Sequence, residues 1–393
     1  MSRRGMIDAI VSGGGVVGAA CALALARRGL EVALVEGAAP TPWRVETPDL
    51  RVYAFAADNA ALFERLGAWA AVRDARVQPY RRMRVWDAAG GGELDFDADA
   101  FGRRELGWIV EHGLLLDRLW ALLPAAGVRV HCPARVALLE DEGDDGVVVG
   151  LDDGSRLRAR IAIAADGARS TLRELAGIAV HGEAYGQGGV VGYVSTSRPH
   201  EDTAWQRFLP GGPLALLPFA DGRCSIVWTL PEAEAARVLA LDDDDFGHEL
   251  TRASDARLGE VHAASPRAAF PLQRQLASDY LRGRVLVLGD AAHVVHPLAG
   301  QGVNLGLRDV AALDGSVASA MATRADWASP SRLARWARAR RSEDTLAAHA
   351  FDGINRLYTS DSVAAVLLRG PLLGVAGRLP LLPRLLWKHA AGI

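Results

Sequence analysis

The chain has 393 residues, 50% of them hydrophobic and 23% charged, with a formal net charge of −3. That length can bury a large core and suits two domains in a soluble globular enzyme. The near balance of charge excludes the basic field that nucleic-acid binding needs. Of the 44 basic residues all but Lys388 are Arg, and the three cysteines, Cys21, Cys132 and Cys224, lie far apart without metal-ligand spacing. They fit a reducing compartment and no catalytic part.

At the amino terminus Ser2-Arg3-Arg4 and the apolar stretch after it imitate a secretory or twin-arginine signal. Cleavage there would remove a strand over residues 7–11, so the expectation is a cytoplasmic protein. No apolar run approaches the roughly 18 residues needed to cross a bilayer. The strand leads into Gly13, Gly15 and Gly18, a helix over 16–26 with a small-residue face, and a second strand ending in Glu36. Gly13 permits a tight turn, Gly15 leaves room for a pyrophosphate over the helix N-terminus, and Gly18 lets helix and strand pack closely. Glu36 then meets a ribose. This motif alone does not separate NAD from FAD.

Segments 78–111 and 182–281 read as strands with polar turns, marked by alternation around Met83-Arg84-Val85-Trp86 and by the run 224–230. Trp86, Trp205, Phe208, Phe219 and Trp228 are candidates to line an apolar pocket, with ordinary core as the plainer reading of each. The acidic run 242–245 reads as the solvated first turn of a helix. Between these segments, strands starting near Val130 run through acidic turns at 141–146 and 152–154 and end in Asp166-Gly167. Taken alone, Asp166 reads as a cap or turn residue.

The apolar run 285–288 reads as a buried strand that places Gly289 and Asp290 at its carboxyl end, where open α/β sheets bind ligands. Beyond it Gly300 and Gly302 allow close backbone approach, and a helix over 303–313 aims its first N–H groups at the same crevice. Such donors suit a cofactor that becomes anionic, as reduced flavin does. Three separated crevice elements, at 13–18, Asp166 and Asp290, suit one long extended ligand, FAD. No metal site follows from His293 and His296, which lack further ligands at suitable spacing. His296 is a candidate general base, although the loop already accounts for its place. The last third reads as helical over 331–354, with an apolar, cation-interrupted tail from Val363. This last third reads as helices packed over the flavin domain or as a surface for membrane or partner proteins, and both can hold on different faces.

These elements, together with Asp49-Leu50-Arg51, Leu66-Gly67-Ala68-Trp69, Gly107-Trp108-Ile109-Val110-Glu111, Gln206-Arg207-Phe208, the stretch 212–218, Ile226-Val227-Trp228 and the long string 289–309, cover most of the chain. The sequence resembles the single-component aromatic hydroxylases that bind FAD, and more closely the ubiquinone-biosynthesis hydroxylase family. The resemblance implies an α/β fold with a Rossmann-like FAD-binding domain (1–77, 112–181 and 282–330), an interleaved β-sheet substrate domain (78–111 and 182–281) and a C-terminal helical region (331–393). It further implies FAD contacts from Gly13, Gly15, Val17, Gly18, Glu36, Arg51, Val136, Asp166, Gly289, Asp290, Pro297, Gly300, Gln301, Gly302, Val303 and Asn304. The loop 297–304 would border the isoalloxazine. One position departs from the family: where the helix after Glu111 usually offers Gln or His to the flavin, this chain has Leu116, which supplies no hydrogen bond.

The implied reaction is NAD(P)H-dependent and uses O2 to hydroxylate the ring of a polyprenylated phenol or quinol intermediate of ubiquinone synthesis. The protein's task is to orient the ring and exclude water. Hydroxylation of a small soluble phenol and a non-catalytic flavin-binding scaffold in a quinone-synthesis assembly are the alternatives. The implied partners are quinone-synthesis proteins or a membrane surface, reached through the C-terminal region of a cytoplasmic, peripheral protein.

Overall fold

The computed structural model describes residues 6–88, 92–296 and 302–359. Its first sheet is built around five parallel strands in the order Val285–Val287, Arg156–Ala164, Ile7–Ser12, Val32–Val35 and Arg129–His131. Val32–Val35 and Val285–Val287 are wholly buried and uniformly apolar, as strands covered on both faces must be. The chain leaves Ile7–Ser12 for a neighbour on one side and returns much later on the other. The carboxyl end of Ile7–Ser12 is therefore the switch point where an open α/β sheet forms its crevice. An antiparallel meander, Val136–Asp141, Val147–Leu151 and Arg156–Ala164, follows the acidic turns anticipated from sequence.

The helix Val16–Arg27 fills one side of this sheet with Ala19, Ala20, Ala22, Ala24 and Ala26, all buried. Such small side chains let the helix Gly302–Ala322 pack closely against it. At the far end Arg28 Nε meets Asp314 Oδ1 at 2.7 Å and fixes the pair's register.

The second sheet has nine strands and is mostly antiparallel, with Val180–Thr196 as its long central member. One face is covered by the helices Glu232–Ala240 and Asp243–Ala253, and Trp86, Trp205 and Trp228 lie in the core formed there. This corrects the aromatic-pocket expectation for those three residues: they pack against the covering helices, with Trp86 and Trp205 edge to face at 6.2 Å. The acidic run behaves as anticipated, since Asp242 accepts the Asp245 N–H at 2.8 Å and caps the second of these helices.

The opposite face carries Tyr193, Ala204, Ala215, Leu217 and Phe219, which pack on Val52, Ala54 and Ile109. Those three come from a small sheet formed by Val52–Phe55, Gln78–Tyr80 and Gly107–Glu111. It joins strands from both sides of the boundaries expected near residues 77 and 111. The two-residue strand His293–Val294 likewise pairs with Ala268–Ala277 of the large sheet. The chain thus crosses between layers immediately after Asp290. The helix Pro330–Thr359 spans the same junction, touching Gly302–Ala322 and the second sheet. Of the expected C-terminal region, residues 360–393 lie outside the described residues. Among the described residues no helix is long and apolar enough to cross a membrane.

Candidate functional site

The crevice begins at the glycine turn. A Cβ on Gly13 would lie 2.4 Å from the Ala165 carbonyl oxygen, and one on Gly18 would lie 2.0 Å from the Gly13 carbonyl oxygen. Both positions are closed by backbone. Gly15 differs, because a Cβ there would meet no protein atom within 4 Å. The space over the helix N-terminus is open, as a pyrophosphate requires. Glu36, at the end of the second strand, accepts the Gly14 N–H at 2.5 Å and the Ala38 N–H at 3.1 Å. Trp120 closes the turn from the other side, its Nε1 donating to the Gly14 carbonyl at 2.7 Å. Sequence reasoning gave Trp120 no role. The departure at Leu116 has a plain physical reading: its side chain packs against the main core, and the helix's polar contact with the turn comes from Trp120, one turn later.

The Asp49–Arg51 segment enters the crevice on a second scaffold. Glu111, wholly buried, forms a two-pronged pair with Arg76 at 2.8 and 2.9 Å and accepts the Asp49 N–H at 2.8 Å. Asp49 accepts from Gly113 N and Arg51 N, each at 2.9 Å, and its carbonyl accepts the Tyr193 hydroxyl at 2.7 Å. Arg51 is exposed, its guanidinium 5.3 Å from the Tyr53 ring centroid. The Tyr53 hydroxyl and His112 Nδ1 share a hydrogen bond at 2.8 Å. Burial, helped by Arg51, lowers the His112 pKa to about 4, so the ring is neutral and free to accept. The Tyr53 phenol is raised by burial, with Asp290 and Asp49 adding to the rise against Arg51. Arg51 and Asp290, far apart in sequence, thus act on one side chain.

Ser170 is the cap of the helix Thr171–Leu175, accepting the Arg173 N–H at 3.0 Å, and Asp166 supports it as a turn residue. Asp166 accepts from the Ser170 hydroxyl and, at 3.2 Å, from the Leu172 N–H. Its backbone also lies against Gly13, whose Cβ would be 2.6 Å from the Asp166 Cα. Gly289 has a left-handed φ of 60° and presents Asp290, exposed, on the turn Gly289–Ala291. Val17 fits between Gly289 and Gly306. Val303 is buried in the first turn of its helix. The Asn304 side chain faces protein: it accepts from Ala56 N at 3.1 Å and Asn59 Nδ2 at 2.9 Å, and donates to the Ala54 carbonyl at 2.8 Å. Val136 is a buried core residue just after Ala134, whose N–H bonds the Glu36 carbonyl at 2.9 Å. Gly302 begins the same helix, while Pro297, Gly300 and Gln301 lie outside the described residues.

His296 is 1% exposed, with both ring nitrogens lacking hydrogen-bond partners among the described residues. It stands edge to face with Tyr185 at 5.1 Å. Burial lowers its pKa to about 4 against the pull of Asp352, so the ring is neutral. His293 is the opposite case. It lies among Asp309, Asp344 and Arg340, a buried charge cluster that sequence reasoning missed, although an acid on the buried face of each of two helices, Asp309 on Gly302–Ala322 and Asp344 on Pro330–Thr359, was its signal. His293, Asp309 and Asp344 have the donors of a metal site. Arg340, however, already binds both carboxylates, at 2.7 and 2.6 Å, and with a protonated His293 balances their charge.

A switch point with a glycine turn open at Gly15 and Glu36 ending the second strand defines a dinucleotide-binding fold. Residues 6–348 match the FAD binding domain family. Ubiquinone hydroxylase UbiL of Rhodospirillum rubrum is 37% identical over 390 residues, covering 98% of this chain and 89% of that protein. The 3-demethoxyubiquinol 3-hydroxylase of Escherichia coli is 35% identical over 385 residues, covering 98% of each. The crystal structure of p-nitrophenol 4-monooxygenase from Pseudomonas putida has the same fold, with a TM-score of 0.78, 20% identity and 98% coverage of both chains. The chain belongs to the FAD-dependent ubiquinone-biosynthesis hydroxylase family, and it is an FAD-dependent monooxygenase.

Proposed function

We propose that this chain hydroxylates the aromatic ring of a polyprenylated phenol or quinol in ubiquinone synthesis, using NAD(P)H and O2. The observation that carries the reading is near-full-length similarity to two relatives named for ubiquinone hydroxylation. Bound FAD supplies the redox chemistry, taking reducing equivalents from NAD(P)H and activating O2. The open position at Gly15 would receive its pyrophosphate, with Gly13 and Gly18 shaping the turn around it and Glu36, Arg51, Asp166 and Asp290 disposed along the crevice. Arg76 and Glu111 hold the Arg51 segment in place. The face of the large sheet bearing Ala204, Ala215 and Leu217 turns toward this side of the molecule, whereas the tryptophan-rich face is closed by helices. A ring with an isoprenoid tail would enter at the seam where that face meets the small sheet, beside the Asp49–Arg51 segment. We assign the FAD and substrate domains to the two large sheets, with the small sheet shared between them.

The helix Pro330–Thr359 supports a peripheral docking role. Its exposed residues include Arg335, Arg338 and Arg341, then Leu346 at 65% and Ile354 at 39% exposure. Cations followed by apolar side chains suit an anionic membrane surface, from which a prenylated substrate would be drawn.

Tail dependence tests the substrate. Each fully buried methylene contributes about 0.8 kcal/mol, so one isoprene unit outweighs a surface contact. With equal rings carrying zero to three units, KM should fall over the first units and then level. Equal kcat/KM and equal coupling to NAD(P)H oxidation for the tailless ring would replace this reading with a small soluble phenol. Tightly bound FAD without oxygen incorporation from O2 into any of these rings would favour the scaffold.

A further inference from the structure

The turn that presents Asp290 is held by a residue of the C-terminal helix that touches neither the turn nor the crevice. Gly289 N–H donates to Asp309 Oδ2 at 2.9 Å, and His293 Nε2 meets the same oxygen at 2.7 Å. The other Asp309 oxygen accepts Arg340 Nε at 2.7 Å, while Arg340 NH2 donates to Asp344 at 2.6 Å. Asp344 in turn stands 3.6 Å from His293 Nε2. The side chains of His293, Asp309 and Asp344 are 0% exposed and that of Arg340 is 5% exposed. The Tyr280 ring stacks over His293, and Glu343 takes the outer nitrogen of Arg340. In the buried part of the cluster two carboxyl groups face one guanidinium and one imidazole, with Glu343 pairing Arg340 at the exposed edge.

We propose that Arg340 is a positioning residue for the FAD pocket, setting the Gly289–Asp290 turn through Asp309. The inference rests on the reading of Asp290 as part of the cofactor site. Geometry supports a specific role for the guanidinium. Its planar fork reaches one oxygen on each of two carboxylates and leaves Asp309 Oδ2 to Gly289 and His293. Without Arg340 the cluster carries an unbalanced buried charge, and either Asp344, whose carboxyl burial and Asp309 already push up to about 7, takes up a proton or Asp309, with its second oxygen left without a donor, shifts off the Gly289 N–H. The turn has little room to follow, because a Cβ on Gly289 would already lie 3.1 Å from Val17. Displacement there moves Asp290 and the start of the glycine-turn helix together.

The test is FAD affinity of the full chain, measured by fluorescence titration of flavin-free protein whose Tm is followed in parallel. Arg340→Met should weaken FAD at least tenfold. The charge-balanced double variant R340M/D344N keeps Asp309 paired with His293 and Gly289, and should recover most of that loss. Failure of the double variant to recover affinity would mean that Arg340 acts only as packing, and would overturn the proposal. If Arg340→Met does not fold, Arg340→Lys decides the question. A single ammonium cannot serve both carboxylates in this geometry, so affinity should drop about threefold or more; unchanged affinity overturns the proposal. Asp290→Ala is the control. Weakened FAD in Asp290→Ala with unchanged FAD in Arg340→Met refutes the inference alone. Unchanged FAD in Asp290→Ala removes the turn from the cofactor site and the inference with it.

Discussion

Adding one methyl group at Gly15 and at Gly13 separates a residue kept small for the cofactor from one kept small for the fold. Gly15 has φ −64° and ψ 178°, an ordinary conformation for alanine, and its Cβ would face no protein atom within 4 Å. Alanine is a poorer N-cap than glycine by a fraction of a kcal/mol, while restricting the unfolded chain returns about 0.4–1 kcal/mol. Flavin-free Gly15→Ala should therefore match the parent within about 0.5 kcal/mol. Gly13 has φ 99°, and its Cβ would lie 2.4 Å from a backbone oxygen. Gly13→Ala should cost about 2–5 kcal/mol, the sum of left-handed strain and overpacking. The assay is thermal unfolding with and without FAD. At one hundred times its Kd, FAD stabilises the parent by about 2.7 kcal/mol, and tenfold weaker binding reduces that to about 1.4 kcal/mol. Gly15→Ala should show the reduced increment or less on an unchanged flavin-free Tm. If flavin-free Gly15→Ala is as destabilised as Gly13→Ala, or gains the full increment from FAD, the pyrophosphate does not lie over Gly15.

Stability should depend on pH in two opposed ways, both readable by denaturant titration. His112 and His296 have folded pKa values lowered to about 4, so their contribution is present above the unfolded value and lost as pH falls from about 6.5 to 4, at most about 3 kcal/mol each. His293 runs the other way: burial opposes its charge, but Asp309 and Asp344 outweigh it and hold the pKa at about 9. Its contribution is full below about 6.5 and lost as pH rises through 9, and His293→Gln should remove that alkaline loss. Trp120→Phe keeps the ring but deletes the bond to Gly14, so it should cost about 1 kcal/mol and weaken FAD several-fold in titration. On the large sheet, Trp205→Phe should leave substrate KM unchanged, whereas Ala215→Leu on the opposite face should raise it in steady-state assays.

The elements of the flavin sheet were legible because each combined a period with punctuation: an apolar strand, a glycine turn, a helix with small residues. What the sequence concealed was direction. Trp86, Trp205 and Trp228 lie in a sheet whose two faces are both covered, so alternation shows that a strand is buried without showing which neighbour covers which face. Asp166 carried two readings, and the structure shows the local one in its hydrogen bonds, while its backbone lies against Gly13 at the glycine turn. Arg340 was not legible at all. Its partner Asp309 lies 31 residues away, and the helix around Arg340 carries many other arginines that face solvent.

The long string 289–309 also has a division of labour that spacing alone does not reveal. Its glycines suggest close approach to a cofactor, but Gly289 and Gly306 are small for the protein itself. A Cβ on Gly306 would lie 2.8 Å from Val17 and 3.1 Å from the Gly289 Cα. Val17 belongs to the first glycine motif, one residue before Gly18. The first and last motifs of the chain are therefore one packing unit, with a valine from one seated between two glycines of the other. A dinucleotide turn and a distant acidic turn can keep a fixed separation only if such contact joins them. Packing at Val17, ahead of any ligand, fixes the glycine turn against the turn that carries Asp290.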